Sequence, residues 1–134
     1  MNYWLVKQEP SSYSFEDFRK DKKTDWTGVR NYMARNFLRD MKKGDAVLFY
    51  HSGDEKAVVG FATVSKAAFP DPTADDDAWV AVELKAGKPF KSPVTLAAVK
   101  ADPKLANMML VKNSRISVMS ITEDEYDQVV SMGN

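Results

Sequence analysis

A chain of 134 residues, 44% of them hydrophobic, is long enough to bury a core and too apolar to be a disordered tail. It has no cysteine and one histidine, His51, which excludes thiol catalysis, disulfides and thiolate metal sites and leaves a His-rich metal centre or a His-based triad without support. Nineteen basic residues balance nineteen acidic ones, yet residues 19–43 hold nine of the former and three of the latter, so this stretch carries +6 against −6 elsewhere. Such a bias marks either a solvated helix face or a footprint for a polyanion. No apolar run approaches the ~20 residues that span a bilayer, and the start of the chain lacks the basic n-region of a secretory signal. A cytoplasmic protein with no membrane partner is therefore expected.

In chain order, Tyr3 to Lys7 is predicted as a first strand, stopped by Pro10 and Ser11-Ser12. Ser14 and Asp17 form a capping pattern for a short helix. Trp26-Thr27-Gly28-Val29 reads as a loop, and Asn31 caps a longer helix to about Met41. Lys43-Gly44-Asp45 turns into a strand, Ala46 to His51, which a polar Gly-containing link joins to a second strand, Ala57 to Lys66. After a Pro/Asp-rich loop, Trp79 to Lys85 alternates as a strand and Gly87-Lys88-Pro89 interrupts it. A helix over Leu96 to Ala101, a strand over Ile116 to Ile121 and a Thr122/Glu125 capping box opening a last helix complete the chain. This order predicts one α+β domain over residues 1–134, a curved, barrel-like sheet with flanking helices.

Four segments stand out as carriers of chemistry: Trp4 to Pro10 with Tyr13-Ser14, Trp26 to Asn36, Gly44 to Ser52, and Arg115 to Val118. In this order they resemble the EVE domain, a member of the PUA-like superfamily related to the thymocyte nuclear protein family and to YTH domains. The resemblance runs from Tyr3 to the last helix. It implies a PUA-like β-barrel that reads a modified nucleobase in DNA or RNA, flipped from its stack and held between aromatic faces, with no cofactor or metal and no catalysis. The chain departs from the family pattern after Asp71-Pro72-Thr73. Relatives carry a longer loop there, whereas this chain has only Ala74 to Ala78 before Trp79.

The candidate pocket residues are Trp26, Asn31, Tyr32, Tyr50, His51, Ser52, Lys7 and Glu9. Trp26 and Tyr32 bracket a Gly-bearing loop as an aromatic wall, with core packing as the alternative for Trp26. Asn31 is a helix cap, a reader of a base edge, or both. Lys7 and Glu9 share a strand face, as a buried ion pair or as a polar pocket floor. Roles for Tyr50 and His51 come from the resemblance alone. Arg30, Lys22, Lys23, Arg35 and Arg115 are candidates for the nucleic-acid backbone, with an Arg30–Glu9 ion pair as the alternative for Arg30. Glu9, His51 and Ser52 supply the groups for acyl transfer, but no Gly-x-Ser-x-Gly elbow accompanies them, and adjacent His51 and Ser52 face opposite ways on a strand. The alternative to base reading is a small-ligand or protein-interaction module using the same pocket; a neutral free ligand would bind with almost no salt dependence.

Overall fold

The computed structural model describes all residues from Met1 to Asn134. Six strands form one sheet: β1 (Tyr3–Gln8), β2 (Lys23–Trp26), β3 (Ala46–His51), β4 (Ala57–Pro70), β5 (Val80–Thr95) and β6 (Val118–Ile121), in the order β2-β5-β4-β3-β1-β6. β1 and β3 are parallel and run side by side from Tyr3↔Ala46 to Gln8↔His51; every other pairing is antiparallel. Five helices flank the sheet: α1 (Phe15–Asp21), α2 (Tyr32–Asp40), α3 (Leu96–Ala101), α4 (Met109–Lys112) and α5 (Glu123–Gly133), with a 3₁₀ turn at Pro103–Leu105. None is long and apolar enough to cross a membrane.

Local signals set the helix starts. Ser14 accepts from the Asp17 amide while the Asp17 carboxylate accepts from the Ser14 amide, and Thr122 and Glu125 repeat the arrangement at α5. Asn31 caps α2, whose Ala34 and Leu38 turn inward while Tyr32 and Met33 stay exposed.

The sheet is strongly curved. Trp26 on edge strand β2 meets Phe49 on β3 edge to face at 5.7 Å, although β5 and β4 lie between those strands in the ladder. Phe18 stacks on Phe49 at 5.4 Å and Phe15 meets it edge-on at 5.3 Å, so α1 fills the inside of the curve. Phe15 also packs flat against Gly60, where a side chain would collide with its ring. Burying each such ring contributes roughly 1.5–3 kcal/mol.

Despite this curvature the sheet does not close into the expected barrel. β2 and β6 are four residues each and remain free edges. Closure needs strands whose length and stagger match around the ring. Here the seam between β2 and the β1–β6 edge is left open. Two further differences concern β2 and β5. The segment Lys23–Trp26, expected to lead into a loop, is a strand because it pairs with Val82 to Lys85. β5 continues through Gly87-Lys88-Pro89, its register slipping against β4 where Pro89 cannot donate.

Candidate functional site

The open seam of the sheet is a cleft of about 360 Å³, a volume within the range that takes small organic ligands. Its walls come from the end of β1 (Lys7, Gln8), from Tyr13, from the segment Thr24 to Arg30, and from Ser117 just before β6. Trp26 lines the cleft and is 7% exposed, its ring packed edge to face with Phe49. The side chains of Gln8, Thr27 and Ser117 line the same space and make no hydrogen bond within the protein. An aromatic face beside unengaged donors and acceptors suits a flat heterocycle with a polar edge.

Of the ionisable groups in the cleft, Lys7, Tyr13 and Arg30 are engaged with protein partners, while the Asp25 carboxylate makes no hydrogen bond or ion pair. Lys7 donates from Nζ to the Ser114 carbonyl at 3.1 Å and lies over the Tyr50 ring at 5.5 Å, and burial lowers its pKa. The Tyr13 hydroxyl donates to Asp21 at 2.7 Å, and burial, reinforced by that hydrogen bond, pushes its pKa up to about 12. Tyr13 therefore remains a neutral phenol at physiological pH.

One buried carboxylate holds the far wall in place. Asp71, at the end of β4, accepts from the Gly28 amide at 2.8 Å, from Arg30 Nη1 at 3.0 Å, and from the Thr73 amide and hydroxyl, both at 2.7 Å. Burial alone would raise its pKa. The hydrogen bonds from Thr73, Gly28 and Arg30 overcome that and hold the carboxyl well below the usual carboxylate range. Gly28 adopts φ 80°, the left-handed turn that presents its amide to Asp71. Asp71 thus ties the β4–β5 loop to the loop that follows Trp26.

The model of the EVE domain matches residues 2–132 of the chain. The chain belongs to the EVE domain family. Protein Atu2648 of Agrobacterium tumefaciens, known from its crystal structure, is 45% identical with a TM-score of 0.96, covering 100% of this chain and 94% of that one. Human THYN1 protein, crystallised in complex with 5-methylcytosine-containing DNA, is 31% identical with a TM-score of 0.92 over 100% of this chain and 98% of that one. Thymocyte nuclear protein 1 of Homo sapiens is 33% identical over 98% of this chain and 73% of its own length.

Within this EVE domain the candidate residues separate into distinct places. Trp26, Lys7 and Arg30 meet at the cleft. Tyr50 and Ser52 do not line this cleft and share a second one with Lys7. Asn31 is committed to capping α2, its Oδ1 accepting from the Ala34 amide at 3.0 Å, and does not line the cleft. Tyr32 is 62% exposed on the outer face of α2, where it packs against Trp79 at 4.9 Å and under the Arg35 guanidinium at 4.8 Å. It lies outside the cleft because the helix begins at Tyr32 and buries Ala34 and Leu38 instead.

His51 is structural. Its Nε2 accepts from the Phe15 amide at 3.0 Å, which places the proton on Nδ1 for the 2.7 Å contact with Glu55. Neither ring nitrogen is left for a ligand. Glu9 pairs with neither Lys7 nor Arg30: its carboxylate accepts from Ser11 and packs on Gly53. The ion pair of Arg30 is with Asp71 instead, at 3.0 Å. Arg35 donates to Asn36 and to the Ala78 carbonyl. Lys22, Lys23 and Arg115 are exposed; Lys23, 3.9 Å from Glu83, starts β2 at the end away from Trp26.

The sequence reading did not single out Gln8, Tyr13, Thr24, Asp25, Thr27 or Asp71. Gln8, Tyr13 and Ser117 sit inside the recognised motifs, Gln8 and Ser117 at strand ends and Tyr13 in the turn before α1. Asp71-Pro72-Thr73 is an Asx-turn pattern, the local signal for a carboxylate turned back on its own backbone.

Proposed function

We propose that this EVE domain binds a nucleic-acid strand and holds one methylated cytosine, flipped from its stack, in the Trp26 cleft without changing it chemically. The observation that carries this is the Trp26 ring in a cleft whose Gln8, Thr27 and Ser117 side chains have no partner within the protein. Stacking on Trp26 contributes about 1–3 kcal/mol, and the free polar side chains pair with the base edge that flipping exposes. The 5-methyl group adds about 0.8 kcal/mol by leaving water, roughly a fourfold preference. The likeness to human THYN1 protein, bound to 5-methylcytosine-containing DNA, supports the same ligand class here. Binding without catalysis is supported by the engagement of Lys7, Tyr13 and Arg30 with protein partners, which leaves Asp25 as the one ionisable group of the cleft without such a partner.

The test is direct binding of the protein to matched oligonucleotides at two salt concentrations, with plain cytosine, 5-methylcytosine, 5-hydroxymethylcytosine or N6-methyladenine at one position, together with the free nucleosides. The expected result is tighter binding to the 5-methylcytosine strand and weaker binding to every strand at the higher salt. Equal affinity for plain and modified strands overturns the proposal, and binding of free nucleosides alone replaces it with a small-ligand module.

A further inference from the structure

The second cleft, about 290 Å³, shares Lys7 with the Trp26 cleft. Lys7, Lys56 and Lys100 line it together with Tyr50, Ser52 and Ser114, and no carboxylate does. None of the three lysines is in an ion pair; the ion pairs of the protein are Arg19–Glu16, Lys23–Glu83, Arg30–Asp71 and His51–Glu55. Of the neighbouring carboxylates, Glu9 is turned to Ser11 and Glu55 to His51, while Asp54 lines an adjacent hollow with Lys56 and Lys100 and not this cleft. Tyr50 is 3% exposed, and its hydroxyl makes no hydrogen bond within the protein. Lys56 adopts φ 49°, a left-handed conformation that lysine rarely takes and that asparagine or glycine would take more easily.

Three lysines around one cavity, with hydroxyls and no carboxylate in its lining, form a site for an anion rich in acceptor oxygens. Burial disfavours the charged form of Lys7, and a bound anion reverses that effect. The two clefts share Lys7 as their common wall, so a ligand that occupies both carries a base on one side and an anionic group on the other.

We propose that the Lys7–Lys56–Lys100 cleft holds a backbone phosphate of the strand whose base enters the Trp26 cleft. This rests on the base-reading function above, and it relocates backbone recognition from the 19–43 segment to the ends of β1 and β3. Lys22 and Lys23 are then bystanders.

The experiment measures affinity against salt for plain and 5-methylcytosine oligonucleotides, using wild type, a Lys56→Gln/Lys100→Gln variant, and a Lys42→Gln/Lys43→Gln variant. Both pairs are exposed and remove the same charge, but Lys42 and Lys43 lie at the opposite end of β3. Lys7 is left intact. The expected result for Lys56→Gln/Lys100→Gln is a roughly tenfold loss for both strands, a slope of log K against log salt shallower by about 0.7–0.9, and an unchanged preference for the methylated strand. The Lys42→Gln/Lys43→Gln variant keeps the wild-type slope. If wild type prefers the methylated strand and the Lys56/Lys100 variant keeps its slope, or both variants change it equally, the phosphate site is overturned and base reading stands. If wild type shows no preference, base reading fails, while the slope difference still decides the phosphate site. Wild type binding no strand overturns both.

Discussion

Replacing Trp26 by alanine is expected to weaken binding of a 5-methylcytosine oligonucleotide by about 1–3 kcal/mol, some 5- to 150-fold, because the stacking face is lost. The ring also packs edge to face on Phe49, so the same change removes core contacts. Truncating a buried aromatic costs about 3–5 kcal/mol of stability, which makes the alanine variant informative only with a second substitution beside it. Trp26→Phe keeps an aromatic face and most of the packing. It is expected to stay within a few-fold of wild type in affinity, whereas Trp26→Leu keeps bulk without a π face and behaves like alanine in binding. Affinities are read by fluorescence anisotropy at a temperature where circular dichroism shows all three variants folded. Equal binding by the leucine and phenylalanine variants would remove stacking from the account.

The second large effect is expected at Asp71, a residue that touches no ligand. Its carboxylate satisfies the Gly28 and Thr73 amides and the Arg30 guanidinium. Each buried donor left without an acceptor costs about 1–3 kcal/mol, and the half-exposed Arg30 can turn to water, so Asp71→Ala is expected to destabilise by a total on the order of 3 kcal/mol. Freeing the Gly28–Arg30 loop also makes it pay for ordering on binding, at about 0.5–1.5 kcal/mol per immobilised side chain, which weakens the 5-methylcytosine complex about tenfold. The pH dependence follows from the sign of the shift. Because the carboxyl is held below its ordinary 3.8, the unfolded chain takes up a proton more readily than the folded one. The stabilisation is complete above about pH 4 and is lost as pH falls through the folded-state value. Urea unfolding at pH 7 and pH 3 should therefore show the gap between wild type and Asp71→Asn narrowing at pH 3. A gap that is equal at both values would mean that Asp71 is not held ionised by these contacts.

Much of the fold was legible because its signals are local. Ser14/Asp17, Asn31 and Thr122/Glu125 each cap a helix where expected, since the donor and acceptor are three residues apart. The strand Ala46–His51 shows as a continuous apolar run because it lies in the middle of the sheet. β2 escaped notice because Lys23-Thr24-Asp25-Trp26 has little apolar content and becomes a strand only through β5, some sixty residues further on. Barrel closure failed for a related reason: whether two short edges meet depends on stagger around the whole sheet, which no local pattern encodes. The site divided in the same way. Trp26 and Lys7 were readable as cleft residues, the first as an aromatic opening a polar, Gly-bearing loop and the second as a cation near the end of the first strand. Tyr32 and Asn31 are neighbours of Trp26 in sequence, but the start of α2 turns one outward and uses the other as a cap. His51 was named through the resemblance alone, and its actual partner, the Phe15 amide, lies 36 residues away and leaves no local signal. The Asp71 tether spans 43 residues to Gly28 and appears only in three dimensions.

The central claim is that a base enters the cleft at Trp26, and the three tryptophans of this chain allow it to be tested residue by residue. The indole of Trp4 is buried and donates to Asp45 at 3.0 Å, Trp79 lies outside the cleft against Tyr32, and Trp26 lines the cleft. In a ¹⁵N-correlated NMR spectrum each indole N–H gives its own cross-peak, assigned by single Trp→Phe substitutions. Titration with a short 5-methylcytosine oligonucleotide is expected to move the Trp26 cross-peak most, to leave that of Trp4 in place, and to move Trp26 less with the plain-cytosine strand at the same concentration. A Trp26 cross-peak that stays fixed while the oligonucleotide demonstrably binds would contradict the account and place the base elsewhere on the protein.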